Sequence, residues 1–469
     1  MGATSTHDVL RFLNRPLVLR TFVVLLIIFT LVHFSNPIQE HADKAREKWQ
    51  QWKEKPEHSE PQHISYTKPS NHTPPHRPRP PPAKPKPQKE VDEDCPVLPG
   101  LERLVITVKT GATEASARVP TLLSTSLRCA ENVFVFSDME EQVGELHVYD
   151  SLDTIKAPIL DHPDFDLYKT QYKLKAGGTN IAALKGMDDP RLPGDAAWAL
   201  DKYKNIHIVE KTWRLRPNMD WYLHIDADTY VMLPSLVHWL RSLNHTEPHY
   251  MGSLTSIGLL NFAHGGSGIL LSQAATKNFI DIYDDTKAAE WDESTSKECC
   301  GDYMLGRALT ETEAWAEDVA PNISGQYPAT VPFGPERWCH LVGTLHHVSP
   351  MEAELLGKFE RQRKDRSRPV SYAELYTDFM HDRISSGTVD DWENGASNIM
   401  VHASSAAECR HLCKEEPGCW RSMYTEDAEE EKCGLGTDFM LLGNPEKGRQ
   451  SSWNRERFDE WIAEQKPCD

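Results

Sequence analysis

No block of basic residues occurs in the folded part of this 469-residue chain, whose formal charge is −19. That deficit argues against nucleic acid as the main partner, because phosphate backbones are held by clustered Lys and Arg. A small-x-small cleavage site is also missing. The apolar segment LVLRTFVVLLIIFTLVHF (17–34) runs into SNPIQE, a poor match for signal-peptide removal. A retained anchor is therefore expected in place of a cleaved signal. Arg11, Arg15 and Arg20 mark its N-terminal side and no acid follows until Glu40, so residues 1–16 are expected in the cytosol. The span is short against the roughly 20 apolar residues a bilayer core takes, with Arg20 able to snorkel. Such a span suits the thinner membranes of the early secretory route.

Residues 35–94 lack the apolar content for a core. They hold a charged stretch and then PPHRPRPPPAKPKPQ, which reads as an extended, Pro-rich stem. Asn71, Asn244 and Asn322 each begin an N-x-S/T acceptor pattern. One anchor, a stiff stem and a folded body facing the lumen is the layout of a Golgi-resident protein, with the endoplasmic reticulum as second choice. It is equally the layout of many surface receptors.

The body begins at Cys95. LVITVKT (104–110) predicts a buried strand, ATEASARVPTLLSTSLR a helix, and ENVFVFSD (131–138) a second strand. Strand, helix, strand is a βαβ unit, and open α/β sheets bind ligands beyond the carboxyl ends of their strands. Thr110, Arg118 and Asp138 stand there as candidates to hold a nucleotide base or ribose. The alternative is that Arg118 and Asp138 are ordinary surface charges.

WYLHIDADTYVML (221–233) ends a buried run with Asp226 and Asp228, and neither has a basic neighbour in sequence. Two carboxylates so placed repel, so a positive charge is expected between them. In an extended strand Trp221, Leu223 and Ile225 face one side, and Tyr222, His224, Asp226 and Asp228 the other. Hard oxygen ligands at a sheet edge suit Mn²⁺ or Mg²⁺ where phosphate oxygens complete the shell. The competing reading makes Asp228 the N-cap of a helix beginning in TYVMLPSLVHWL. Three further segments add chemistry. FAHGGSGILLS (262–272) carries Gly265 and Gly266, which let backbone approach a ligand closely. ECCGDYMLGRAL (298–309) puts Asp302 at the start of an amphipathic helix, and GTLHHVSPMEAELL (343–356) supplies His346 beside a second histidine. Each also has a plain reading as a turn, a cap or a buried histidine.

Taken in order, VKTGATEASARVP, VFVFSD, WYLHIDADTYV, FAHGGSGILLS, CCGDYMLG and TLHHV resemble the inverting β-1,3-glycosyltransferases of family 31 that include Fringe and the core 1 galactosyltransferase. The resemblance covers about residues 95–380 and is nearest to fungal members with a C-terminal PAN/apple module. It implies an α/β, GT-A fold with a Rossmann-like mixed sheet. It also implies a UDP-sugar donor, Mn²⁺ (or Mg²⁺), a glycan or glycoprotein acceptor, and a β-1,3 product. By position Asp228 and His346 match metal ligands, with Asp226 beside them near metal and ribose. Asp302 matches the general base, and Glu298 is the next carboxylate in the same segment. Thr110, Arg118 and Asp138 fall in uridine-binding segments. Two departures stand out: Ala227 replaces a further aspartate, and Gly301 replaces an acid before the base.

The character changes after residue 385. Cys409, Cys413, Cys419 and Cys433 read as a disulfide framework in an oxidising compartment, with a zinc site as the alternative. The pattern resembles a PAN/apple module over 391–469, which implies Cys409–Cys433 and Cys413–Cys419 and a carbohydrate or protein ligand. The other six cysteines have no pairing legible in sequence. The expected order is tail 1–16, anchor 17–34, stem 35–94, transferase domain 95–385 and module 391–469. Two other classes stay open: a non-catalytic lectin on a degenerate transferase fold, and an anchored receptor using the module.

Overall fold

The computed structural model describes residues 94–184, 196–328, 330–331, 333–381, 388–428, 432–438 and 443–468. The βαβ reading holds with small changes at the ends. Strand β1 is Leu104–Lys109, helix α1 Ala115–Ser124 and strand β2 Asn132–Ser137. Then follow β3 Glu141–Val143, β4 Leu146–Asp150, β5 Trp221–Asp226, β6 Tyr230–Val231 and β7 Tyr250–Gly252. Strands β8 Leu254–Ile257 and β9 Leu260–Ala263 form a hairpin, and β10 Ile269–Ser272, β11 Ala316–Asp318 and β12 Thr344–Leu345 complete this half.

Eight of these strands make one mixed sheet in the order β11-β7-β10-β5-β1-β2-β4-β3. Its centre is parallel: β1 pairs in parallel with both β2 and β5, and β2 with β4. The antiparallel pairings of β10 with β5 and β7 make it mixed. The expected sidedness of β5 is observed. Trp221, Leu223 and Ile225 pack into one apolar cluster with α1, while Tyr222 enters the cluster on the opposite face. Helix α2 Ala196–Asp201 packs beside α3 Lys204–Leu215; α3 and α4 Gly301–Thr310 cover that opposite face, and α5 Pro350–Gln362 contacts α1.

The C-terminal region forms its own antiparallel sheet. Strands β13 Thr388–Glu393, β14 Ile399–Val401, β15 Arg421–Thr425, β16 Cys433–Gly436 and β17 Asn444–Trp453 run in the order β13-β17-β15-β16-β14. Helix α6 Ala406–Glu415 lies on it, held by Cys409–Cys433 and Cys413–Cys419, the pairs the module resemblance implies. With those four cysteines joined as disulfides, the zinc alternative lapses. The last helix, α7 Arg455–Glu464, turns back toward the first half. Phe458 and Trp461 join a cluster with Trp338 and Tyr376, and Cys468 is bonded to Cys339. Cys95–Cys129 and Cys299–Cys300 complete five disulfides, and no described cysteine is free.

The expectation of a single-pass type II Golgi membrane protein is corrected here. Among the described residues no helix is long and apolar enough to cross a membrane. The longest described helix, α5, has 13 residues. At ~1.5 Å per residue it is about 20 Å long, short of a hydrocarbon core of about 30 Å. The expected tail, anchor and stem, with the acceptor pattern at Asn71, lie outside the described residues.

Candidate functional site

Strands β1, β2 and β5 all end at one edge of the sheet, and that edge is crowded with charge. The register sets Lys109 directly opposite Asp226. The Lys109 ammonium lies 3.2 Å from the Asp226 carboxylate and 2.5 Å from Asp201 at the end of α2. Lys204, buried in the first turn of α3, reaches Asp201 at 3.2 Å and Asp138 at 3.4 Å and donates to the Thr110 carbonyl at 2.8 Å. Asp138, just past β2, also accepts from the Ala112 amide at 2.8 Å. Thr110 and Asp138 are both buried. Burial pushes the Asp226 carboxyl above its usual range against the opposing pull of Lys109. For Asp201 burial opposes ionisation too, yet Lys109 and Lys204 bring its pKa down to about 2. The positive charge expected beside Asp226 is thus supplied in part by the chain itself.

Asp228 sits in the turn between β5 and β6. It is not a helix cap: the helix that follows is Leu233–Leu240, and its N-cap is Met232. Its carboxylate lies 3.4 Å from His346 Nε2 and 3.8 Å from His347 Nδ1, with the Arg118 guanidinium at 3.7 Å. Burial opposes ionisation here, but the His346 hydrogen bond and the charges of His346, Arg118 and His347 hold the Asp228 carboxyl below its ordinary range. One oxygen and two imidazole nitrogens from Asp228, His346 and His347 lie within 4.8 Å of one another. His346 is buried, and its Nδ1 has no hydrogen-bond partner. A buried imidazole without such a bond is costly unless something else occupies the donor set. One carboxylate and two imidazoles fit a divalent transition ion better than Ca²⁺. His347 adopts φ of 54°, a strained conformation for a non-glycine residue, and its ring lies against His346. Asp226 stands apart from this cluster, on Lys109.

The glycine turn joins the cluster to Asp302. A Cβ on Gly266 would fall 2.1 Å from His346 Nε2, so only glycine leaves room for that ring. Thr229 Oγ1 donates to the Gly266 carbonyl at 2.7 Å. The neighbouring Gly265 amide donates to Asp302 Oδ2 at 2.9 Å. Asp302 is in the first turn of α4, where the Tyr303 amide donates to its other oxygen at 2.8 Å. The carboxylate is therefore oriented by two backbone donors, one turn residue away from the histidine site. Glu298 is engaged elsewhere, accepting from Arg307 at 3.0 Å. At Gly301, where the family resemblance implies an acid, a Cβ would meet the Lys202 carbonyl at 2.5 Å.

The structure brings every expected site residue to this edge, and it adds Lys109, Asp201, Lys204 and His347. Lys109 had a partial signal, since it closes a strand predicted to end at the same sheet edge as Asp226. Asp201 and Lys204 had none, because nothing in their segment marks its distance from the sheet. His224 is on the Asp226 side of β5 but is no ligand. It is bonded to Thr107 at 2.6 Å, and burial pushes its pKa down to about 3.

Residues 185–312 match the Fringe-like family model. That stretch contains Asp226, Asp228, Gly265, Gly266 and Asp302, while Thr110, Arg118, Asp138 and His346 lie outside it. Over 111 residues the chain is 28% identical to chondroitin sulfate synthase 3 of Homo sapiens and 29% identical to that of Mus musculus. The match takes in 21% of this chain and only 12% of either relative. Among solved structures, a glycosyltransferase involved in the glycosylation of the major capsid of PBCV-1 aligns over 53% of this chain and 98% of its own, at 12% identity and a TM-score of 0.23. The galactosyltransferase LgtC, in complex with donor and acceptor sugar analogues, aligns over 52% and 87% at 9% identity and a TM-score of 0.25. Scores so low assign no fold.

Proposed function

We propose that this chain is a metal-dependent inverting glycosyltransferase. It moves a hexose or N-acetylhexosamine from a UDP-sugar to a hydroxyl of a glycan or glycoprotein, and forms a β-1,3 linkage on a GT-A fold. The observation that supports this most is the glycine turn, which ties a candidate metal cluster and an oriented carboxylate together through adjacent backbone positions.

Asp228, His346 and His347 are the residues that would hold the ion, and two imidazoles favour Mn²⁺ over Mg²⁺. When bound, a divalent ion supplies positive charge to offset the negative charge of a departing diphosphate. The rest is the work of the chain. Lys109, held between Asp201 and Asp226, keeps the Asp226 carboxylate in place beside the donor. Arg118 adds a cation beside Asp228. Thr110 and Asp138 shape the pocket floor for the uridine. Asp302 takes the proton of the attacking acceptor hydroxyl, with the amides of Gly265 and Tyr303 fixing its direction. Attack from the face opposite the diphosphate inverts the anomeric carbon, converting an α-linked donor to a β product. The C-terminal sheet, helix α6 and their two disulfides form a PAN/apple-like module that binds carbohydrate or protein.

The test is a screen of UDP-sugars for Mn²⁺-dependent UDP release by the purified chain. Release from at least one donor is expected, and no release from any donor, with or without acceptor glycans, sinks the reading in favour of a lectin. Asp302→Asn should bind UDP and Mn²⁺ as the wild type does, yet transfer sugar at least ~10²-fold more slowly.

A further inference from the structure

His264 is neither one of the cluster's imidazoles nor a hydrogen-bond partner of Asp302, yet it sits beside both. It follows β9 and precedes the glycine turn, so the next two residues are the ones that meet Asp302 and His346. The backbone fixes it twice. Its amide donates to the Ser253 carbonyl at 2.9 Å, and its carbonyl accepts from Ser267 Oγ at 2.7 Å. The half-buried ring lies 5.3 Å from that of His346, centroid to centroid. Asp302 is near enough to be felt as well: burial pushes the His264 pKa down, against the pull of the Asp302 charge. His264 therefore borders both the candidate metal cluster and Asp302.

One ring nitrogen is committed to the turn. His264 Nδ1 accepts from the Ser267 amide at 3.2 Å and so caps Gly265–Ser267. An amide can only donate, so Nδ1 carries the lone pair and the proton of the neutral ring is on Nε2. The two nitrogens of an imidazole diverge, which turns Nε2–H away from the Ser267 amide. Among the described residues it has no acceptor. A cap needs only a short side-chain acceptor, which Asn or Asp supplies. Capping thus accounts for half of this ring.

We propose that His264 Nε2–H donates to an oxygen of the sugar being transferred, and so holds the donor's pyranose in place. This rests on the glycosyltransferase reading of the cluster and of Asp302. In a single displacement the reacting sugar lies between its leaving diphosphate and the incoming hydroxyl. The diphosphate belongs with the metal cluster and the hydroxyl with Asp302, so a residue that borders both borders the sugar. An uncharged N–H suits a hydroxyl or carbonyl oxygen there, whereas diphosphate oxygens are better met by charge.

The experiment titrates the full chain calorimetrically, in Mn²⁺, with UDP and then with UDP-glucose, UDP-galactose and UDP-N-acetylglucosamine in turn. His264→Ala and His264→Asn are compared with wild type. Asparagine keeps a side-chain acceptor for the Ser267 amide but is too short to place a donor where Nε2–H stood. Both variants should bind UDP as wild type does. Both should bind the UDP-sugar that wild type holds most tightly about three- to tenfold more weakly, the scale of one hydrogen bond. Wild-type UDP-sugar affinity in His264→Asn overturns the proposal and leaves the ring as a cap. An equal loss of UDP and UDP-sugar affinity also overturns it, because the imidazole would then serve the diphosphate. Wild type that binds no UDP-sugar at all overturns the glycosyltransferase reading itself, and the proposal with it.

Discussion

Gly266 has less freedom than any other residue at the site. Its missing side chain is the space His346 Nε2 occupies, so Gly266→Ala must move that ring. Expected is a loss of Mn²⁺-dependent UDP affinity of about 10–100-fold, the usual cost when a ligand's support is disturbed. Asp228→Ala and His346→Ala should each abolish the Mn²⁺ dependence outright while the fold stays intact. Calorimetric titration of UDP with and without Mn²⁺ checks all three, and wild-type Mn²⁺ dependence in the two alanine variants would show that the cluster is not the metal site. Glu360 makes a separate prediction about pH. It accepts from the Tyr230 hydroxyl at 2.5 Å, and burial raises its pKa to about 7 from 4.5. A carboxyl so raised binds its proton more tightly in the folded chain. Its contribution to stability is complete below about 4.5 and is lost as pH rises through about 7. Melting temperature should therefore fall more steeply between pH 5 and pH 8 in wild type than in Glu360→Gln. Parallel slopes would mean Glu360 titrates normally.

At the scale of elements, α4 is placed by what it cannot carry. The Lys202 carbonyl leaves no room for a side chain at Gly301, and Asp302 follows one residue later. Gly301→Ala should shift the first turn of α4, destabilise the chain by roughly 1–3 kcal/mol as overpacking does, and lower transfer rate more than UDP affinity. Thermal melts and steady-state kinetics read both. An alanine variant with wild-type turnover would mean the contact relaxes without moving Asp302. The strand–turn elements were largely legible beforehand. LVITVKT, ENVFVFSD and WYLHID show their strands because burial on both faces demands continuous apolar runs. The Asp228 turn was ambiguous, since an apolar helical pattern resumes soon after it. The outcome depended on β6 pairing with β12, a contact between segments more than a hundred residues apart.

On the scale of the whole molecule, the C-terminal sheet shares its packing with the first half. Trp338 meets Trp461 at 4.9 Å between ring centroids, Tyr376 stacks on Phe458 at 6.0 Å, and Cys468 closes a loop back to Cys339. A chain ending at residue 390 loses all three contacts. It should melt lower than the full chain, and Cys468→Ser alone should cost about 2–5 kcal/mol. Equal melting of the shortened and full chains would make the C-terminal sheet an independent unit. All ten cysteines are paired, so reductant should lower the melting temperature further.

Read alone, the sequence marks LVITVKT, ENVFVFSD and WYLHID as buried strands, puts Asp226 at the end of one, and puts glycines in the segment before Asp302. These are local facts, because apolar periodicity and backbone permissiveness act over a few residues. Only the tertiary structure decided which charges meet. Lys109 faces Asp226 because β1 and β5 pair in one register, and Asp201 and Lys204 join them because α2 and α3 are laid across the strand ends. The pairings Cys95–Cys129, Cys299–Cys300 and Cys339–Cys468 belong to the same class. Charge pairs and disulfides depend on distances of a few ångströms between segments far apart in the chain, and no local pattern encodes such distances.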